Sequence, residues 1–175
     1  MSKSDPIPTV PIRASILTIS DKGSRGERTD QSGPALARWL SGRGVEITAE
    51  SMVADEQPLI ASQLRLWADC GGSDLILTTG GTGVSPRDVT PEATAEILHR
   101  IIPGFSEAMR AASLAKTPFA MLSRGLCGVR HRTLILNLPG NPTAAVENLE
   151  AAWPAVPHAI RKLQGDPSDC VPAQK

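Results

Sequence analysis

The sequence predicts an α/β fold, a three-layer sandwich in which a mostly parallel sheet carries helices on both faces. Three observations point there. Short apolar runs at 12–20 and 75–79 have the length and β-branched content of buried strands. Segments with apolar residues at helical spacing alternate with such runs almost throughout. No internal repeat or linker divides the 175 residues, a length that fits one domain. The expected organisation is an irregular arm over 1–11, rich in proline, a single α/β domain over 12–165, and a frayed tail over 166–175.

In chain order, the strand at 12–20 leads into a polar stretch, 21–31, that is long for a plain connector. Ser32 is expected to cap a helix with Pro34 in its first turn and Leu36, Trp39 and Leu40 as its apolar stripe, ended by Gly42 and Gly44. Residues 45–53 alternate as a second strand. Residues 54–58 open another helix, which runs to Asp69 with Ile60, Leu64, Trp67 and Ala68 at helical spacing, and Gly71 and Gly72 close it. The strand at 75–79 runs straight into Gly80-Gly81-Thr82-Gly83. Thr90-Pro91-Glu92 reads as a helix start whose hydroxyl caps, and Pro103-Gly104 as its break. A helix over 105–116, strands at 119–122 and 133–138 with a glycine-rich connector at 125–128, and a last helix over 144–163 interrupted near Pro154 and Pro157 complete the pattern.

Composition narrows function. Eighteen Lys and Arg are balanced by 18 Asp and Glu, which argues against a protein that lives on nucleic acid or an anionic membrane. Arg124, Arg130 and Arg132 are the one candidate basic patch. With three Trp, two Phe and no Tyr, stacking platforms for single-stranded nucleic acid are not expected. No apolar run reaches the roughly 20 residues of a membrane span, and the opening residues lack the apolar core of a secretory signal, so a cytoplasmic protein is expected. Three cysteines without a CxxC pair suit neither a disulfide framework nor a zinc ribbon. His99, His131 and His158 have no ligand spacing among them. Cys127 reads as an ordinary buried or turn cysteine, although Arg124 and Arg130 lie near it in sequence.

In an open α/β sheet, ligands bind beyond the carboxyl ends of the strands. Three loops leave strands at that edge: 21–31, 80–88 and 139–142. Gly80, Gly81, Thr82 and Gly83 could let the backbone approach an anion, yet the loop is neither a Walker A motif nor a dinucleotide fingerprint, since Pro86 stands where the last glycine would be. Asp55 and Asp88 each lie between a strand and a helix, where a lone acid is commonly a cap. With Asp30 they could instead converge around a phosphate as a Mg²⁺-nucleotide site requires. Pro139-Gly140-Asn141-Pro142 is a stiff turn or the wall of a pocket.

The run Leu77-Thr78-Thr79-Gly80-Gly81-Thr82-Gly83 followed by Pro86-Arg87-Asp88-Val89-Thr90-Pro91-Glu92-Ala93-Thr94 resembles the signature of the molybdopterin adenylyltransferase family of molybdenum cofactor biosynthesis, which includes the gephyrin G domain and its plant equivalent. Ile19-Ser20-Asp21, Asp30-Gln31-Ser32-Gly33-Pro34, Asp55-Glu56, Pro118 to Arg124 and Asn137 to Pro142 extend the likeness over about 12–165. The resemblance implies transfer of AMP from Mg-ATP to the terminal phosphate of molybdopterin with release of pyrophosphate. It implies catalytic acids at Asp55 and Asp88, which would also be the Mg²⁺ ligands. It further implies a pterin and nucleotide pocket that includes Ser20, Asp21, Asp30, Ser32, Gly33, Thr79 to Gly83, Ser123, Pro139, Gly140, Asn141 and Pro142. A homotrimer, and a downstream molybdenum-insertion protein that receives the product, are implied as well. Because the attacking phosphate is already ionised at neutral pH, no general base is needed, and Lys22 or Arg87 could neutralise charge. A carrier protein that binds molybdopterin without catalysis, or a scaffold like gephyrin, are the other readings.

Overall fold

The computed structural model describes residues 11–167. Six strands form one sheet in the order β2-β1-β3-β6-β5-β4. They are β1 (Arg13–Ile19), β2 (Glu46–Val53), β3 (Leu75–Thr79), β4 (Arg100–Ile101), β5 (Cys127–Arg130) and β6 (Thr133–Leu138). β1, β2, β3 and β6 are parallel neighbours, whereas β5 runs antiparallel to both β6 and β4. The helices are α1 (Asp21–Ser24), α2 (Ser32–Ser41), α3 (Gln57–Asp69), α4 (Thr90–Ile97), α5 (Pro103–Leu114), α6 (Pro142–Ala152) and α7 (Val156–Leu163).

Strand alternation divides the core between the two faces. Leu75 and Leu77 of β3 join Leu36 and Leu40 of α2, Phe105 and Met109 of α5, Leu149 of α6 and Ile160 of α7. The intervening Ile76 joins Ile60 and Leu64 of α3 and Ala93 and Ile97 of α4 on the opposite face. This is the expected three-layer arrangement. β1 is flanked by β2 on one side and β3 on the other, so successive connections leave it in opposite directions. The crevice at the carboxyl ends of β1 and β3 is therefore the switch point where ligands bind in such sheets.

Several local expectations need correction. Residues 119–122 are not a strand but part of a 3-10 helix, Pro118–Leu122, entered through a Thr117 hydroxyl that accepts from the Phe119 N–H. Phe119 is 75% exposed, so this apolar run has no buried strand face to fill. The glycine-rich connector is largely β5, where Gly128 lies against the Arg100 carbonyl so closely that a Cβ would fall 2.5 Å from it. Pro103 opens α5 rather than breaking α4, as proline does at a first helical position, and the two-residue β4 lies between them. Ser32 and Thr90 are first helical residues and do not cap. The stretch after β1 holds a one-turn helix. Apart from Pro11, Asp166 and Pro167, the arm over 1–11 and the tail over 166–175 lie outside the described residues.

A buried polar node ties the layers together beneath the site. Asn137 of β6 donates through Nδ2 to Thr78 Oγ1 at 2.9 Å and Thr94 Oγ1 at 3.0 Å, and its Oδ1 accepts from the Leu126 N–H at 3.0 Å. Replacing it with Leu leaves that partly buried N–H and the two buried threonine hydroxyls without this partner, at about 1–3 kcal/mol for an unsatisfied group. Asn137→Leu is expected to lower stability by about 2 kcal/mol or more, read as a drop in the urea midpoint without a change in slope.

Candidate functional site

A cavity of about 340 Å³ opens at the switch point. Thr18, Ile19 and Ser20 at the end of β1, and Thr79, Gly80 and Gly81 at the end of β3, form its floor; Gly140, Asn141 and Pro142 form one wall. Arg28, Thr29, Asp30, Gln31 and Ser32 contribute from the loop after β1, and Met52 and Asp55 from the end of β2.

The floor depends on glycine. Gly80 and Gly81 have φ of +104° and +62°, the left-handed region that side chains disfavour. A Cβ on Gly80 would collide with the Ile19 carbonyl oxygen, and one on Gly81 with Thr90 Oγ1. A Cβ on Gly140 would stand 3.2 Å from the Gly80 Cα, so the wall and floor touch backbone to backbone. Thr79 Oγ1 donates to the Pro139 carbonyl at 2.7 Å, and the Gly80 N–H to the Leu138 carbonyl at 3.2 Å. Gly80 therefore shapes the cradle but spends its own donor on β6. The Thr90 hydroxyl, expected as a cap, donates instead to the Gly80 carbonyl at 2.9 Å and holds the loop from below.

Neither Asp55 nor Asp88 caps a helix: the N-cap residues of α3 and α4 are Glu56 and Val89, neither with a side-chain capping bond. Asp55 accepts through Oδ2 from the Asp21 N–H at 2.7 Å, and its Oδ1 faces Gly81, where a Cβ would stand 3.1 Å away. Burial pushes the Asp55 carboxyl up, and the charges of Asp21 and Asp88 push the same way, against the Asp21 hydrogen bond. Asp88 lies outside the cavity lining; its Oδ2 accepts from the Ser85 N–H at 2.8 Å and would be 2.9 Å from a Cβ on Gly83. Asp30 lines the cavity with both oxygens already engaged, Oδ2 by Thr18 Oγ1 at 2.6 Å and Oδ1 by the N–H groups of Ser32 and Gly33. It is the cap of α2 that Ser32 was expected to be. Asn141 likewise caps α6 by accepting from the Ala144 N–H at 3.0 Å.

Of the residues singled out in the sequence, Ser20, Asp30, Ser32, Asp55, Thr79, Gly80, Gly81, Gly140, Asn141 and Pro142 come together around the cavity. Asp21, Gly33, Thr82, Gly83, Asp88, Pro139 and Ser123 stand outside its lining. Sequence reasoning missed Thr18, Gly23, Arg28, Thr29 and Met52, although Arg28 and Thr29 belong to a loop flagged by its length. It also missed the work of Arg124, which donates from Nε to the Gly83 carbonyl at 2.7 Å, from Nη2 to the Asp88 carbonyl, and pairs with Glu92. One side chain thereby clamps both ends of the loop that carries Asp88. Arg130 pairs with Asp69 at 2.7 Å, so the suggested patch of Arg124, Arg130 and Arg132 is not a field of free cations. Burial pushes the Cys127 thiol up to about 11, the behaviour of an inert core cysteine.

Among the described residues, no group of three or more His, Cys, Asp or Glu could hold a metal. His99 and His131 do meet edge to face at 4.6 Å, but at the opposite end of the parallel strands. No helix among the described residues is long and apolar enough to cross a membrane.

A glycine-floored crevice at a switch point, with Asp30, Asp55 and Arg28 in its lining, defines an α/β protein with a small-molecule cavity where such sheets take their ligands. The chain belongs to the family described as "Probable molybdopterin binding domain", whose model matches residues 15–158. It is 42% identical over 158 residues to a molybdopterin adenylyltransferase of Helicobacter pylori, covering 89% of each chain. It is 41% identical to gephyrin of Dictyostelium discoideum over 90% of this chain and 23% of gephyrin. Its structure superposes on the molybdopterin biosynthesis enzyme MoaB of Thermus thermophilus with a TM-score of 0.84 and 56% identity, covering 90% of this chain and 99% of that one.

The geometry makes Gly83 a steric gate for Asp88 rather than a φ-dependent turn. Gly83→Val is expected to displace the Asp88 carboxylate and abolish ligand response while leaving the far-ultraviolet spectrum intact. Unchanged ligand affinity by calorimetry would show that the loop tolerates a side chain there.

Proposed function

We propose that the chain moves AMP from ATP, supplied with Mg²⁺, onto the terminal phosphate of molybdopterin and releases pyrophosphate. The observation that carries this reading is the state of Asp55: one oxygen is tied, the other faces the glycine floor, and the carboxylate is surplus to helix capping. The name of the Helicobacter pylori relative supports the same chemistry.

An oxygen of the molybdopterin phosphate attacks the α-phosphorus of ATP. A Pα–O bond forms as the bond from Pα to the oxygen bridging the β-phosphate breaks, and that electron pair departs with pyrophosphate. The attacking oxygen is ionised at neutral pH, so no proton need be removed, and the absence of a histidine from the lining costs nothing. What remains for the protein is positioning and charge. The glycine floor lets the substrates approach closely, the 139–142 wall fixes one side, and Arg28 lies where it can meet a phosphate.

The residues present fit a cation that arrives with the triphosphate, not a resident one. Mg²⁺ bound to phosphates takes one or two carboxylates and keeps several waters. Burial and the charges of Asp21 and Asp88 push the Asp55 carboxyl up, so a cation received between Asp55 and Asp88 would relieve it. They would hold Mg²⁺, which when bound neutralises the charge that accumulates on the triphosphate. The product would pass to a molybdenum-insertion protein in the cytoplasm.

Asp55→Asn and Asp88→Asn are expected to slow single-turnover adenylylation by about 10²-fold or more, the scale for loss of one preorganised charge-stabilising group. Both should remain folded. Wild-type pyrophosphate release should require both substrates together. Pterin binding without pyrophosphate release would mark a carrier instead, and wild-type rates in both variants would place the chemistry elsewhere.

Association as a homotrimer belongs to the same reading. Phe119, Met121 and Leu122, 75%, 67% and 49% exposed, offer apolar surface for subunits to cover. Light scattering at micromolar concentration should return three times the chain mass, and a monomer mass would end this part of the reading.

A further inference from the structure

The three loops that carry the acids are joined by one surface arginine. Arg87, in the loop after β3, donates from Nε to Asp21 Oδ2 at 3.0 Å and from Nη2 to Asp21 Oδ1 at 2.8 Å, a two-pronged grip. The same Nη2 reaches Glu56 Oε1 at 2.9 Å. Asp21 and Asp55 then exchange reciprocal bonds: the Asp21 N–H to Asp55 Oδ2 at 2.7 Å, and the Asp55 N–H to Asp21 Oδ1 at 3.1 Å. The contact runs from the end of β3, through the start of α1 after β1, to the end of β2.

Asp21 opens α1, a helix of four residues, too short to hold its own geometry in water. Its place must come from outside contacts, and the Ser20 hydroxyl, which accepts from the Gly23 N–H at 3.1 Å, acts only within the turn. The Ser20 N–H bond to the Val53 carbonyl at 3.0 Å and the Asp21–Asp55 bonds hold α1 to β2, and Arg87 is the tether that holds the Asp21 side chain to the loop after β3. Its side chain is 52% exposed and that of Asp21 27%, and a pair so open to water adds little to stability. Its consequence is geometric: with Asp21 fixed, its N–H fixes Asp55 Oδ2, and the carboxylate plane is set so that Oδ1 addresses Gly81.

We propose that Arg87 is a positioning residue which, through Asp21, aims the Asp55 carboxylate at the cavity, an inference that rests on the adenylyl-transfer reading for its effect on rate. Arg87 does not need to touch substrate. In the structure its guanidinium is engaged by Asp21 and Glu56, in place of the free phosphate-neutralising cation the sequence suggested.

The test compares Arg87→Gln, Arg87→Lys, Asp21→Asn and the Arg87→Gln/Asp21→Asn double variant with wild type. The control is Arg25→Gln, which removes a more exposed pair with Glu27 in the neighbouring turn. Arg87→Gln should lower kcat roughly ten- to a hundredfold, the scale of a small misplacement, with KM for ATP within about twofold. Lys, which keeps the charge but not the fork, should recover part of kcat. The double variant should be no worse than the weaker single variant, because both act along one path. Independently of any activity, the Asp21 and Asp55 amides should exchange faster with deuterium, by NMR, in Arg87→Gln and not in Arg25→Gln. Wild-type kcat in Arg87→Gln, losses that multiply, or unchanged amide protection would each overturn the relay. A wild-type protein inactive in adenylylation while those amides lose protection in Arg87→Gln would instead overturn the proposed reaction and leave the relay standing.

Discussion

Everything at the site depends on how closely the backbones at the ends of β1 and β3 and the 139–142 turn approach one another. The Ile19 carbonyl occupies the space that a Cβ on Gly80 would need, and Gly140 presses on the Gly80 Cα from the other side. With side chains at these positions the three loops would stand apart and the crevice at the switch point would widen. Close approach is also what the Thr79–Pro139 and Gly80–Leu138 hydrogen bonds require, so the packing and the polar contacts demand the same geometry. Beneath, the Thr90 hydroxyl holds the loop and the Asn137 node ties β3, β6 and α4 together below it.

Above that floor the electrostatics are arranged in opposition. Asp21 is held low by its Arg87 hydrogen bonds, whereas burial drives Asp55 up. Two neighbouring acids therefore behave differently: one is a fixed structural anion, the other a carboxylate whose burial and acidic neighbours make it gain from an incoming positive charge. Asp30 and Asn141 belong to neither class: Asp30 spends Oδ1 on the start of α2 and Oδ2 on the Thr18 hydroxyl, and Asn141 spends its Oδ1 on the start of α6. Placing two helix N-termini at the same crevice still matters, because their partial positive charge suits a phosphate-bearing ligand.

How far the sequence was legible follows from what kind of force placed each element. β3 and β6 are buried on both faces and read directly as apolar runs. α2 and α3 were legible from their periodicity. The failures share a cause: β5 and β4 are short, contain glycine or exposed residues, and exist because β6 offers an edge to pair with, which no local pattern records. The 119–122 segment failed oppositely, having apolar residues but no partner strand. At the site, the loops and Asp55 were visible from spacing and from the family resemblance. Which acids cap and which remain available was not, because Asp30 and Asp55 differ only in whether a helix N-terminus turns toward them. The Arg124 clamp and the Arg87 tether join residues 31 to 66 positions apart, a separation at which single-sequence reasoning has no purchase.

The central claim is that the α-phosphoryl group, and no other part of ATP, ends on the pterin phosphate. Its most direct measurement is the fate of label when the protein is incubated with molybdopterin and ATP carrying ³²P at the α or the γ position. Adenylyl transfer predicts that α-label appears in a pterin adenylate in one-to-one ratio with pyrophosphate that carries the γ-label. Release of γ-label as inorganic phosphate with α-label in ADP, or retention of both labels in ATP alongside bound pterin, would contradict it.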